Sequence, residues 1–409
     1  MGRNAIYLVM GFTFVFLMSS RNLSTVSTEA FKNAIGYYES SIGHHIAQTG
    51  TNFACNQLFL TPNWRNGYSN VSFAGGQFDV VASNITGTDR IQLVTTATYD
   101  GKNYSIKVLL QPSLFSKFAY YSDNEPNSIY WVTGDTVWGP YHSNTKMYVN
   151  GNPVFNGKAT TLNGLVKAHA SDKPQFNGGY ETGISITMPS DLSTLKGKAT
   201  QAGGGFYLLN PASADVYMNF NANGTVTYRV GTTGGWTTTD LATLAGTNKV
   251  IMIDGGNLRI KGKLSGQVTI AALGPSGSTT LGHVMIDSSI SYVNNPLVGA
   301  SDDLMGIVAT NDIMMTDNAN NNTAAGITIQ ASMFSLAGGF GAENYATRPA
   351  MGSIHLLGGV SQHIRRAVGT SGSPGTGFKK SYMYDQRMLV AAPPCFPTTG
   401  SYEILEWLE

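Results

Sequence analysis

The N-terminal stretch constrains this chain most, because it carries no charged side chain from Ala5 to Ser20 and is bracketed by Arg3 and Arg21. A cleaved signal peptide would end in a cut site flanked by small residues, and the sequence around Ser20 is a poor match. A helix that crosses a membrane alone needs about 20 apolar residues, whereas the apolar run here spans only Ile6 to Met18. Neither explanation fits well, so the interpretation depends on the residues after Arg21.

A helical pattern continues from this stretch to Leu60 without a proline. Its apolar residues recur mostly three or four positions apart, as on one face of an amphipathic helix. They are Leu23, Val26, Ala30, Ala34, Tyr37 or Tyr38, Ile42, Ile46, Phe53 and Leu58. Gly36, Gly43 and Gly50 lie nearly on one face, which suggests close packing against a partner surface. We therefore predict one helix over residues 1–60, apolar over 5–20 and amphipathic over 21–60.

The rest of the chain has the composition of a β-rich protein. Over the whole chain of 409 residues only 12% are charged and 48 are glycines, which suits many short strands joined by tight turns. Alternating patterns at 77–81, 90–99 and 104–110 predict strands, and Asp100-Gly101 predicts a hairpin between the last two. We assign residues 61–140 to a small antiparallel β-domain.

Short apolar β segments then recur at irregular intervals, as expected for a parallel β-helix (β-solenoid) in which each coil covers the apolar edge of the next. They lie at 250–253, 258–260, 268–270, 284–286, 307–308, 327–329 and 354–356. The segment VYMNFNANGTVTYRV departs from this pattern and predicts an ordinary hairpin at Asn223-Gly224. We assign 141–370 to the β-helix and 371–409 to a C-terminal tail that packs back on the body.

Several segments resemble type IV pilin-like proteins, most closely the PilX-type minor pilins. They are the basic start, Gly2 followed by Ala5-Ile6, the apolar run, STEAFKNAIGYYESSIGHHIAQTGTNFACNQLF, GPYHSN, GNPVF, GKAT and the PPCFP tail segment. The resemblance implies a mainly β protein with one long N-terminal helix and a β-helix body. It also implies a structural filament subunit, major or minor, with the body exposed for adhesion.

In such a filament the apolar helix is the assembly device. Its expected contact residues are Ile6, Leu8, Val9, Met10, Phe12, Phe14, Val15, Phe16 and Leu17. The implied partners are further copies or other pilins, the inner membrane before assembly, and surface glycans on the exposed face. The implied location is an extracellular filament.

Residues with catalytic or metal-binding side chains have simpler explanations. As a catalyst, His142 would need a carboxylate or nucleophile nearby, and the local sequence offers only Asp135 and Ser143. We therefore expect a buried structural histidine, with Asn144 as a turn or stacking residue.

Adjacent residues such as Asp302 and Asp303 point to opposite faces of a strand, so we interpret these two as part of a turn. Asp312, Asp317 and the 318–322 asparagine run lack a calcium-loop spacing. His44 and His45 do not form a metal pair. We expect no enzyme activity, cofactor or metal.

Three further expectations concern the two cysteines, nucleic-acid binding and the alternative functions. Cys55 and Cys395 lie near opposite ends of the chain, and with an export-like N-terminus we favour a disulfide between them over two buried thiols. A net charge of +1 without basic blocks argues against nucleic-acid binding. Two other functions stay open: a membrane-anchored or exported β-helix protein that binds or cleaves polysaccharide, and a secretion-system pseudopilin.

Overall fold

A computed structural model describes residues 2–86, 88–210, 212–370, 372 and 375–409. The chain forms two compact units, Met1–Pro112 with Gly400–Glu409, and Ser113–Thr399. The predicted class, mainly β with one long N-terminal helix, is confirmed. The predicted helix and most of the predicted antiparallel domain share the first unit, so the division at residue 112 differs from the predicted boundaries at 60 and 140.

The first unit pairs one helix with an antiparallel sheet. Its elements are α1 (Arg3–Leu60), β1 (Tyr68–Phe73), β2 (Gly76–Asn84), β3 (Ile91–Tyr99) and β4 (Lys102–Leu114). The predicted hairpin is confirmed, because Tyr99 pairs with Lys102 and both Asp100 and Gly101 have positive φ. Positive φ at both central positions is what a tight hairpin turn requires.

Only the later part of α1 packs on this sheet. Gly43 is the first buried residue of the helix, and Ile46, Ala47, Ala54 and Leu58 are buried after it. These residues share a core with the inward faces of the strands, including Phe78, Val80, Ile91, Leu93, Ala97, Ile106 and Val108. The sheet side chains alternate between buried and more exposed along β3, as one-sided packing against a helix demands.

The second unit consists mostly of short strands. Its elements begin with β5 (Tyr120–Asn124), β6 (Trp131–Val132), β7 (Thr136–Val137), β8 (Tyr141–Ser143), β9 (Met147–Asn150), β10 (Val154–Phe155), β11 (Ala159–Thr161), β12 (Leu165–Lys167), β13 (Gln175–Phe176), β14 (Tyr180–Thr182), α2 (Ser193–Thr200), β15 (Phe206–Leu209), β16 (Val216–Phe220), β17 (Thr225–Val230) and β18 (Thr237–Asp240).

The chain continues with α3 (Leu241–Ala245), β19 (Val250–Asp254), β20 (Leu258–Leu264), β21 (Gln267–Leu273), β22 (Val284–Tyr292), β23 (Leu304–Ala309), β24 (Ile313–Met315), β25 (Ile327–Ser335), β26 (Phe340–Ala342), β27 (Ala350–Ile364), β28 (Gly369–Thr370), β29 (Thr376–Met383) and β30 (Thr398–Leu408). Two 3-10 turns lie at Phe115–Lys117 and Gln386–Leu389. Strand β30 ends the chain as the neighbour of β4 in the first sheet.

One parallel series of strands, here called the long ladder, runs through the second unit. Its order is β15, β19, β21, β23, β25, β27, β5, β8, β11 and β14. The order departs from chain order at one point, where Val360 of β27 pairs with Tyr120 of β5. The strands of residues 120–182 therefore stack on the end of those of residues 206–364.

Further parallel series run beside the long ladder. One contains β16, β20, β22, β24 and β26, another contains β29, β7, β10 and β13, and a third contains β6, β9 and β12. Residues from all of them share one buried apolar cluster. The predicted hairpin at Asn223-Gly224 is confirmed by the antiparallel β16–β17 pair, although β16 also belongs to the parallel system. Parallel pairing is the part of the β-helix prediction that the structure bears out, and closure into a solenoid stays a prediction.

A column of glycines marks one corner of the 120–182 strands. A Cβ on Gly157 would lie 2.2 Å from the carbonyl carbon and oxygen of Gly139, and a Cβ on Gly178 would lie 2.3 Å from the carbonyl carbon of Gly157. Real side chains do not approach so closely, so only glycine permits these backbones to stack. The recurring Gly in WGPYHSN, NGKATT and NGGYET is therefore a packing requirement.

Candidate functional site

The predicted assembly residues lie on a helical segment without packing partners in the described chain. Ile6, Leu8, Val9, Met10, Phe12, Phe14, Val15, Phe16 and Leu17 are each between 60% and 73% exposed. By length and composition α1 is apolar enough to cross a membrane, which is weak evidence by itself. Large apolar patches of this kind mark interaction or membrane sites in soluble proteins.

The three spaced glycines of α1 have different environments. A Cβ on Gly43 would lie 2.1 Å from the Tyr104 ring, and one on Gly50 would lie 2.6 Å from the Phe78 ring. A Cβ on Gly36 would meet nothing within 4 Å. Two of the three glycines therefore serve packing on the protein's own sheet, and only Gly36 is left for the partner surface that the sequence suggested.

The predicted Cys55–Cys395 disulfide is wrong, because no disulfide joins these two cysteines. Cys55 packs against the core of the first unit, and burial raises the pKa of its thiol. Cys395 packs against a core of the second unit, with Sγ 3.6 Å from the Asn248 carbonyl oxygen. Each side chain is thus held within its own unit, a placement that positions in the sequence do not reveal.

His142 is a fully buried residue of β8. Its Nδ1 lies 2.7 Å from the Thr160 hydroxyl and its Nε2 lies 2.8 Å from Oδ1 of Asn144. Burial lowers the pKa of His142, although the Asn144 contact and the Asp123 charge act in the opposite direction. Its hydrogen-bond partners are thus Thr160 of the neighbouring strand β11 and Asn144 directly after its own strand, and neither Asp135 nor Ser143 is among them.

Asn144 connects this histidine to the segment after β14. Its Nδ2 donates to the Asp123 carboxylate at 2.7 Å and to the Ile186 carbonyl at 2.7 Å, and its Oδ1 accepts from the Ile186 backbone N–H at 3.0 Å. Tyr121 stacks on His142 and also donates to the Ile186 carbonyl. The network holds the 185–193 segment against the long ladder.

Asp303 serves a structural purpose. Its buried carboxylate accepts from the backbone N–H groups of Gly266 at 2.6 Å and Asn294 at 3.0 Å. Asp303 therefore links the loops that precede β21 and β23. Asp302 instead accepts a hydrogen bond at its backbone carbonyl from the Gln267 side chain.

The asparagine-rich loop forms hydrogen bonds with backbone carbonyl groups and contacts the buried guanidinium of Arg348. Asn321 donates to the Ile286 and Thr316 carbonyls, and Arg348, whose side chain is fully buried, donates to the Thr316 carbonyl at 2.6 Å. The guanidinium also lies 3.6 Å from Asp317. Within the described ranges, no group of three or more His, Cys, Asp or Glu side chains is arranged to hold a metal.

A groove that sequence reasoning missed runs along the second unit. Its volume is about 1100 Å³. One wall is a column, here called the groove column, with one residue in or directly after each of eight successive strands of the long ladder. In ladder order these residues are Asp254, Leu273, Thr310, Leu336, His363, Asp123, Asn144 and Leu162.

The other wall of the groove comes from residues 185–193, Lys196 and the 274–277 loop. Lys196 Nζ lies 2.7 Å from Asp254, and His363 Nδ1 lies 3.0 Å from Asp123. The carboxylate of Asp254 is partly desolvated, but hydrogen bonds from Lys196 and Tyr207 outweigh this and lower its pKa. The groove thus combines polar and apolar surface, and its Lys196 and His363 each lie beside a carboxylate. Its column depends on strand register between distant segments, and a sequence pattern gives no direct signal for it.

Comparisons with known proteins add little to this picture. No protein family matches the chain, and no curated protein matches it. Among solved structures, the competence-associated pilin ComZ from Thermus thermophilus is similar at 12% sequence identity and a TM-score of 0.35, covering 90% of this chain and 97% of that one. A TM-score this low does not establish a common fold. The likeness to PilX-type minor pilins stays a prediction.

Proposed function

We propose that this protein is a subunit of a type IV pilus-like extracellular filament, assembled through α1. The observation that carries the proposal is the division of one continuous helix into two parts. Residues 2–42, as the structure describes them, contain no buried position, whereas the part from Gly43 onward is fixed on the sheet by buried residues. A helix held at one end presents the other end as a projecting apolar rod.

The free energy of burial supplies the driving force for assembly. Each large apolar side chain removed from water contributes about 1.5–3 kcal/mol, and nine such residues lie between Ile6 and Leu17 in the predicted set. Before assembly the same surface would be covered by membrane lipid, and afterwards by the helices of neighbouring subunits. The β-rich second unit would be exposed on the filament, and its strands would close as a solenoid.

A charge placed in the apolar segment tests this proposal. We would express the chain and Phe14→Asp in the producing cell, shear the cell surface, and analyse sedimented material by mass spectrometry. Wild type should appear in high-molecular-weight polymer with residues 5–20 retained. Phe14→Asp should be absent from polymer, whereas Ser24→Asp, an exposed change outside the apolar run, should be retained.

Three other results would contradict the filament. Soluble wild-type monomers that begin beyond residue 20 would show that the segment is a removed export signal. Wild type that stays in the membrane fraction as a monomer would favour an anchored protein, and polymer confined to the cell envelope would favour a secretion-system pseudopilin.

A further inference from the structure

We propose that the groove of the second unit binds a linear, uncharged glycan in an extended conformation. All residues that line it belong to residues 123–363. The proposal therefore concerns the second unit alone, and it stands whether or not α1 assembles a filament.

The dimensions of the groove suit a polymer with a short repeat. Neighbouring strands lie about 4.8 Å apart, so the eight strands behind the groove column extend over about 34 Å. One strand spacing is close to the length that one pyranose unit adds to an extended chain. A bound glycan would thus place one sugar unit opposite each strand in turn.

The charges of the groove exclude polyanionic ligands. Asp254 is paired with Lys196 and Asp123 with His363, and Asp191 accepts a hydrogen bond from the Ser193 backbone N–H at 2.8 Å. Polyanions such as nucleic acids or polyuronates require a surplus of cationic side chains, and the groove has none among its described lining residues. A neutral ligand leaves these internal pairs undisturbed.

The order of side chains in the groove column also fits sugars. Leucines such as Leu336 and Leu162 are interspersed among polar groups such as Thr310 and Asn144. Hydroxyl, amide and carboxylate groups bind sugar hydroxyls, and the leucines offer apolar contacts to the C–H faces of the rings. An extended peptide would instead bind the free edge of a strand, but the backbone groups behind this column are already paired within the ladder.

Isothermal titration calorimetry of the full chain in detergent tests the proposal. The probes are linear β-1,4-glucan, α-1,4-glucan and β-1,4-N-acetylglucosamine oligomers of increasing length, with oligogalacturonate as a charged comparison. We expect at least one neutral series to bind about tenfold more tightly as octamer than as trimer. Longer chains should gain no further affinity, and oligogalacturonate should not bind.

A matched pair of variants locates the binding. Ala337→Trp places a bulky ring in the groove wall and should weaken binding about tenfold or more. Ala242→Trp makes the same change at an exposed position of α3 outside the groove and should bind as wild type. Both variants should unfold at the wild-type temperature.

Four results would overturn the proposal. They are no binding of any neutral series, no gain in affinity beyond the trimer, wild-type binding by Ala337→Trp, and binding of extended peptides that is lost in Ala337→Trp. The last result would assign the groove to a polypeptide.

Discussion

The guanidinium of Arg365 lies 2.8 Å from the carboxylate of Glu125, and both side chains are buried although the residues are 240 positions apart. The pair lies where the 120–182 strands stack on β27, next to the face of Trp131, whose ring centre is 4.2 Å from the guanidinium. Lys380 and Asp135 form a second close pair nearby, 2.8 Å apart. Ion pairs from the 120–182 strands to the end of β27 and to β29 thus accompany the backbone pairing of Val360 with Tyr120.

We expect Glu125→Gln to lower the free energy of unfolding by about 3–5 kcal/mol, because it leaves a buried guanidinium without its counter-ion. Glu125→Gln combined with Arg365→Met should cost less than the sum of the single changes. The exposed pair Lys158–Glu181 supplies the control, since Glu181→Gln should cost about 1 kcal/mol or less. Urea unfolding followed by tryptophan fluorescence measures wild type, the two single changes, the double variant and Glu181→Gln. Equal losses for Glu125→Gln and Glu181→Gln would contradict the assignment.

The packed glycines of α1 should be intolerant of side chains. Gly50→Ala places a Cβ against the buried Phe78 ring and should destabilise the first unit by about 1–3 kcal/mol. Gly36→Ala meets no neighbouring atom and should stabilise the helix by up to about 1 kcal/mol. Thermal unfolding followed by circular dichroism distinguishes them, and a destabilised Gly36→Ala monomer would show that the segment before Gly43 is packed.

Alanine substitutions in the glycine column of the second unit should also be destabilising. Gly157→Ala forces a Cβ onto the backbone of Gly139 and should cost roughly 1–3 kcal/mol, or more where the strands cannot separate. Gly197 in α2 is the matched control, because a Cβ there meets nothing within 4 Å and alanine favours a helix. Urea midpoints should fall for the first variant only, and an unchanged midpoint for Gly157→Ala would contradict the stacked arrangement.

Burial of neutral His142 should make stability depend on pH. Its pKa is lowered by burial from an ordinary value near 6.5, so the unfolded chain binds the proton more readily. Stability is therefore complete above about pH 6.5 and is lost as the pH falls towards the folded pKa. We would compare unfolding midpoints of wild type and His142→Gln between pH 7.5 and 5. The wild-type midpoint should fall more steeply, and parallel curves would show that His142 does not supply the dependence.

Local patterns predicted the elements well where short-range physics decides them. The proline-free amphipathic repeat predicted α1, the Asp100-Gly101 turn predicted the β3–β4 hairpin, and apolar β segments such as 250–253 and 327–329 fall within strands. The same reasoning was wrong on the disulfide, since it had no means of placing Cys55 and Cys395 in separate cores. It also predicted that Gly43 and Gly50 pack against a partner surface, whereas both pack against the protein's own sheet.

The sequence by itself determined the exposed apolar helix, the mainly β class and the short parallel strands, because hydrophobic periodicity, turn residues and low charge act over a few neighbouring positions. Tertiary structure alone decided that β27 stacks on β5, that Arg365 meets Glu125, and that eight distant residues form the groove column. Those relationships arise from the register between strands that are far apart in the chain, and register is fixed by packing of the whole core rather than by any local pattern.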